Sequence, residues 1–341
     1  MPGLTERLLY RVAKRWIAGY TLEDAIRVAH NANNRKLSVI LNRLGEHTPD
    51  EKLIQGYTEE YLKLLDQIQE GKIDGTISVK PSQLGLAANP SLYGTNLLRI
   101  IERAEAYDEF VWIDMENSPY TEGTLKTYRE ILPGHRQLGV CLQANMKRTE
   151  SDLKDLISRG GIIRLVKGAY PETGESVYKK RSDVDANYVR LMIMLFEGGG
   201  RFAIGTHDGK LIDKARELAK EQKRDFEFQM LKGIRDDIKP TLIEEGYRVS
   251  EYIPYGPEWY NYSKRRMRER KRNILREMKL RDGGLVVTDQ VDKNFIADLL
   301  VLLVILVVVV GGFAFLHSPS ILLGGGLALV VAVAAEFAWS R

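Results

Sequence analysis

The chain has 341 residues, with 50 basic and 46 acidic side chains and a formal charge of +4. Hydrophobic residues make up 44%, which excludes global disorder, and the single cysteine excludes a disulfide scaffold or a cysteine-based zinc site. The mean hydropathy of −0.25 suggests a soluble protein, yet it averages two unlike parts, because Val291 to Arg341 carries only Asp292, Lys293, Asp298, Glu336 and Arg341 as charges.

Met1 to Tyr20 has no apolar core of the kind that marks a signal peptide, so none is expected. Apolar, β-rich runs then recur at Leu37–Asn42, Thr76–Lys80, Phe110–Asp114, Leu138–Gln143, Ile162–Lys167, Phe202–Thr206, Phe226–Leu231 and Val249–Pro254. They are mostly continuous rather than alternating, as expected of strands covered on both faces. Helical patterns lie between them, among them TEEYLKLLDQIQEG from Thr58 and LIDKARELAKEQ from Leu211. This alternation predicts an α/β fold, a (βα)8 barrel of the TIM type, with N-terminal helices. A doubly wound open sheet is the alternative, weakened because no G-x-G-x-x-G follows the first strand.

Barrel chemistry sits where strands end. Those ends are polar here: Lys80, Asp114, Gln143, Arg164 with Lys167, Thr206 with His207, Gln229 with Leu231, and Tyr252. Any one of them reads equally as a solvated or salt-bridged group, but seven strands ending this way read together as a site. Lys80 and Asp114 in one cavity would perturb each other. His207 is the one histidine at a predicted strand end and could be functional or structural; His30, His47 and His135 show no metal-ligand spacing. Cys141 reads as core, and Gly198 to Gly200 as a turn.

The run from Tyr252 to Arg270, YIPYGPEWYNYSKRRMRER, forms a second cluster. After a Pro-Gly-Pro turn, Glu258 opens a helical stretch. Arg265 and Arg266 are adjacent, Tyr262 lies one turn before Arg265, and Glu269 one turn after it. Guanidinium forks suit capture of a carboxylate or phosphate, and tyrosines would supply flat walls. A solvated or lipid-facing basic helix is the bland alternative, and it suits Arg270 onward. No nucleic-acid partner is expected.

Beyond a linker at 283–294, the runs 295–316 and 321–339 are each long enough to span a bilayer, and HSPS from His317 separates them. The expectation is a C-terminal two-helix transmembrane hairpin over 295–341. Ten Lys or Arg between Lys264 and Arg281 place the body, 1–282, on the cytoplasmic side of a cell membrane, with basic residues meeting the lipid bilayer.

Taken in order, RWIAGYTLEDAI, LNRLGEHT, SVKPSQLG, WIDMEN, LGVCLQANMKR, IRLVKGAY, IGTHD, FQMLKG, YIPYG and YSKRR resemble the proline dehydrogenase family, from about Trp16 to Glu269. The resemblance implies flavin-dependent oxidation of L-proline to Δ1-pyrroline-5-carboxylate in a distorted barrel, with non-covalent FAD at the strand ends and a last helix over the mouth. It implies that Asp114 and Arg164 are catalytic. Lys80 and the Arg265–Arg266 pair would hold the proline carboxylate, and Tyr170, Leu231, Tyr252 and Tyr262 would wall the pocket. Met115, Gln143, Arg164, Val166, Lys167, Gly168, Ala169, Thr206, His207 and Glu269 would contact or cover FAD. Asp208 stands where some relatives carry asparagine. No aldehyde dehydrogenase segment follows, so a monofunctional enzyme is expected, its product passing to a separate pyrroline-5-carboxylate dehydrogenase. Membrane quinone is the expected electron acceptor. Hydroxyproline oxidation, a Schiff-base aldolase or lyase using Lys80, and a non-enzymatic membrane scaffold are the rival readings.

Overall fold

A computed structural model describes residues 4–46, 50–170, 172, 174–260 and 262–266. Eight parallel strands close into one barrel in sequential order. Helices α1 (Leu4–Ala13) and α2 (Leu22–Asn33) precede β1 (Ser38–Arg43). The alternation continues with α3 (Glu51–Glu70), β2 (Gly75–Val79), α4 (Pro90–Ala106), β3 (Val111–Ile113), α5 (Ser118–Ile131) and β4 (Leu138–Gln143). Then come α6 (Thr149–Ser158), β5 (Ile162–Val166), α7 (Arg181–Gly198), β6 (Phe202–Gly205), α8 (Gly209–Glu221), β7 (Phe226–Leu231), α9 (Lys239–Glu244) and β8 (Arg248–Tyr255). Helical turns at 259–260 and 262–266 follow β8. The ring closes through β1 and β8, with Ser38 opposite Ser250 and Arg43 opposite Tyr255.

All eight expected strands are present, with one systematic correction. Lys80, Asp114, Lys167 and Thr206 each lie one residue beyond their strand rather than inside it. Pairing between β2 and β3 stops at Val79 and Ile113, and Pro81 supplies no N–H to extend the ladder. Each polar residue therefore stands at the barrel mouth, with Asp114 still donating its N–H to the Val79 carbonyl (2.9 Å).

The alternation of side chains across each strand separates two cores. Val39, Leu41, Ile77, Val79, Val111, Ile113, Val140 and Leu165 face outward into one large cluster with the helices. Ile40, Phe110, Trp112 and Ala203 form a small separate cluster inside the barrel. A third cluster joins Trp16, Ile17 and Leu44 to Trp259 and Tyr262, packing the segment before α2 against the turns after β8. The Ala18 N–H donates to the Pro254 carbonyl (2.8 Å), and the Gly256 N–H to that of Gly19 (2.9 Å).

Among the described residues, no helix is long and apolar enough to cross a membrane. The runs expected to form the hairpin, and Glu269, lie outside the described residues.

Helix α3 fixes the end of β2 through one buried hydroxyl. Tyr61 donates to the Ser78 carbonyl (3.1 Å) or Gln83 Oε1 (2.9 Å) and accepts from Asn42 Nδ2 (3.2 Å). Tyr61 is fully buried, so Tyr61→Phe would leave partners that water cannot reach. We expect a loss of about 1–3 kcal/mol in chemical denaturation.

Candidate active site

One carboxylate gathers the barrel mouth. Asp114, just past β3, accepts on Oδ1 from Ser78 Oγ (2.6 Å) and Arg164 Nη1 (2.7 Å). Its Oδ2 accepts from Lys80 Nζ (2.9 Å) and Tyr252 OH (2.7 Å). Burial alone would raise the pKa of this acid, but the Lys80 and Arg164 cations, with the Ser78 and Tyr252 hydrogen bonds, hold it far below the usual carboxylate range. Lys80 is buried too. Desolvation opposes its charge, yet Asp114 first, then Tyr170, Tyr252 and Glu46, keep it firmly an ammonium.

Arg164 is threaded into the barrel interior from β5. Its guanidinium lies 4.7 Å from the Trp112 ring centroid and 5.7 Å from that of Tyr252. Nε donates to Gln229 Oε1. Gln229 Nε2 donates to Glu227 Oε1 (2.5 Å), and Glu227 Oε2 accepts from Ser250 Oγ (2.6 Å). The chain of bonds runs from the mouth to the barrel floor and leaves the guanidinium no freedom to turn. Arg164 Nη2 is buried and has no hydrogen-bond partner among the described residues.

Glu46, three residues past β1, forms a second anionic point. Arg265 Nη2 lies 3.0 Å from Oε1 and Nη1 3.3 Å from Oε2, and Tyr170 OH donates to Oε1 (3.1 Å). Burial would raise its pKa, but Lys80 and Arg265 outweigh that and lower it. Glu46 was not singled out from the sequence, although it lies within LNRLGEHT. Its meaning depends on partners 124 and 219 residues away.

The flank beyond β4, β5 and β6 is built differently. Gln143 donates from Nε2 to the Glu116 carbonyl (2.8 Å). Gly168 has φ +106°, and a Cβ there would run into the Asn145 amide. Asn145 Oδ1 is itself buried without a partner among the described residues. Lys167 bridges Asp185 (2.5 Å) and Asp208 (2.7 Å). Asp208 also caps α8 by accepting from the Lys210 N–H (3.1 Å), a task that Asn would share. Thr206 is buried, Val166 is half-buried and Ala169 is exposed.

His207 Nε2 accepts from the Leu231 N–H (2.8 Å), which leaves the ring proton on Nδ1. The sequence left its role open, and the structure shows that it ties β6 to β7.

Two expected wall or contact residues are mainly packed elsewhere. Met115 sits in the large outer core. Tyr262 sits in the Trp16–Trp259 cluster with the Arg266 guanidinium 5.3 Å from its ring centroid.

Burial first, then the charges of Lys239, Arg266 and Arg235, drive the His207 pKa from 6.5 down to about 3. The unfolded chain therefore binds a proton that the folded chain refuses between these limits, and stability falls as pH drops through that window. NMR titration should find the His207 ring neutral near pH 4, and His207→Gln should flatten the decline in stability across the same window.

A sequence profile of the Proline dehydrogenase family matches residues 25–275. Proline dehydrogenase 2 of Bacillus subtilis (strain 168) is 34% identical over 278 residues, covering 78% of this chain and 92% of the relative. Proline dehydrogenase of Deinococcus radiodurans is 33% identical over 278 residues, covering 79% and 90%. The crystal structure of proline utilization A from Bdellovibrio bacteriovorus inactivated by N-propargylglycine superposes with a TM-score of 0.73 at 25% identity, over 80% of this chain. The chain spans about a third of the length of that structure, 34%. Shared order of motifs, profile and barrel agree: the chain belongs to the proline dehydrogenase family.

Proposed function

We propose that this chain oxidises L-proline to Δ1-pyrroline-5-carboxylate with non-covalently bound FAD. The observation that carries the reading is the fixed Arg164 guanidinium, whose buried Nη2 has no hydrogen-bond partner among the described residues while Asp114 holds Nη1 and Gln229 holds Nε. An N–H buried in this way needs an electron-rich acceptor. An isoalloxazine that gains negative charge on reduction is such an acceptor, so the residues present fit the group. FAD, when bound, supplies the hydride acceptor that no side chain can provide. Gln143, Val166, Lys167, Gly168, Ala169, Thr206 and His207 would hold it along the β4–β6 flank. The Asn145–Gly168 approach leaves backbone where a side chain would intrude.

The chain's own residues do the rest. Lys80, Arg265 and Arg266 attract the substrate carboxylate, while Tyr170, Leu231 and Tyr252 enclose the ring. Burial and Asp114 keep Tyr252 protonated, so it stands as a fixed wall donating to that acid. A ring hydroxyl on the substrate would crowd it, which favours proline over hydroxyproline. Asp114 is too weak a base to take a proton at neutral pH; it orients Lys80, Arg164 and Tyr252. The cations that hold the carboxylate also disfavour the substrate ammonium, so the neutral amine is the form the site stabilises. The same charge balance argues against Schiff-base chemistry, which needs Lys80 as a free amine rather than a paired ammonium.

We further propose three segments: a barrel over 1–282, a linker over 283–294 and a transmembrane hairpin over 295–341. The apolar runs 295–316 and 321–339 support this division, with the barrel cytoplasmic and its flavin beside a pool of membrane quinone. A separate pyrroline-5-carboxylate dehydrogenase would take the product.

L-Proline should bleach the flavin of the purified protein under anaerobic conditions, and hydroxyproline should do so far more slowly. Arg265→Ala should raise the proline requirement at least tenfold with flavin retained, as expected for a lost charge-assisted pair. A protein that purifies without flavin absorbance, or whose flavin ignores proline, would sink the reading. Deleting 292–341 should spare dye-coupled oxidation and impair quinone-coupled oxidation in membranes; equal quinone reduction by the truncated protein would remove the anchoring proposal.

A further inference from the structure

Arg43 is the last residue of β1, and nothing in the activity described so far uses it. Its side chain is nearly buried and joins two elements that share no backbone hydrogen bonds among the described residues. Nε lies 2.9 Å from Glu60 Oε2 on α3, and Nη1 lies 2.5 Å from Glu258 Oε2, where the terminal helical turns begin. The guanidinium sits 5.2 Å from the Tyr57 ring centroid. It also packs against Gly256, whose φ of +129° and lack of Cβ leave the space the guanidinium occupies. Gly256 and Glu258 lie in the bend and turn that lead from β8 into those turns.

Glu258 precedes Arg265 by seven residues, in the turn that leads into the helical residues 259–260 and 262–266. Glu46 follows Arg43 by three residues and grips Arg265. The lip of β1 therefore holds the terminal turns at two points: Arg43 at their start, outside the substrate site, and Glu46 at the site itself. The second contact must yield whenever Arg265 turns to a substrate carboxylate. The first has no such reason to yield.

We propose that Arg43 is a positioning residue for carboxylate capture. By bridging Glu60 to Glu258 it fixes the start of the terminal turns, so that Arg265 stays aimed at the barrel mouth when it leaves Glu46. This rests on the proline-oxidising reading above.

The test compares Arg43→Met with Glu258→Gln in the full chain with flavin bound. One substitution removes a cation and the other an anion. If Arg43 acted only through its charge, they would shift the KM for proline in opposite directions. Positioning requires both to raise it, by about tenfold with kcat changed less than about twofold, the pattern of lost ground-state binding. The dissociation constant of tetrahydrofuran-2-carboxylate, a ring carboxylate without an oxidisable amine, should weaken in parallel. In an Arg265→Ala background, neither change should raise KM further, because a residue that acts through Arg265 has nothing left to aim.

Opposite shifts, additive losses in that background, or a KM unchanged in Glu258→Gln would each overturn the proposal. Glu258 is 45% exposed, so its variant decides the matter even if Arg43→Met does not fold. If the unaltered protein's flavin is not bleached by proline, the functional reading falls and this inference falls with it. Bleaching with an unchanged KM in both variants overturns this inference alone.

Discussion

A carboxylate removed from water must be matched by cations and hydrogen bonds or it will not stay ionised. Asp114 is matched on both oxygens, and its four donors come from β2, from just beyond it, from β5 and from β8. Those elements are neighbours only because the barrel is closed. The constraint also works in reverse: Lys80 and Arg164 are themselves buried, and each would lose its nearest counter-charge without Asp114. Loss of any member leaves the others uncompensated, so the group holds together as a unit rather than as separable pairs. Around the mouth, two acids, Asp114 and Glu46, face three cations, Lys80, Arg164 and Arg265.

The second support is apolar. The terminal turns carry the arginine pair, but they belong to neither the outer core nor the barrel interior. Trp259 and Tyr262 pack instead on Trp16, Ile17 and Ala13, and Tyr10 meets Trp259 edge-on at 5.4 Å. The residues before α2 are therefore part of the site's support despite lying far from it in sequence. Lys232 extends the same tie by donating to the carbonyls of Lys14 (2.8 Å) and Arg15 (3.0 Å) from the loop after β7.

The barrel was legible in the sequence because buried parallel strands write their burial locally. A run such as LGVCLQ needs no partner to be read, and it forms β4 within the bounds expected from it. Strand ends were legible to one residue, since the residue that leaves the sheet differs from its neighbours only in hydrogen bonding. Asp114 and Arg164 stood out as charges in apolar surroundings. The packing of Tyr262 was not legible for a related reason: helical spacing gives the face a residue lies on, but not which neighbour covers that face.

Glu46 and Arg43 were illegible for a different reason. Each is an ordinary charged residue at the end of an ordinary strand, and Glu46 sits in a polar loop where acids are common. What distinguishes them is the far side of the contact, at Glu258 and Arg265, more than two hundred residues away. Burial imposes a local pattern, because most positions of a covered strand are apolar. Charge pairing imposes none, because one partner suffices and may come from anywhere in the chain. The scaffold of a barrel enzyme can thus be read from one sequence, while the ion pairs at its mouth become visible only when the ring closes.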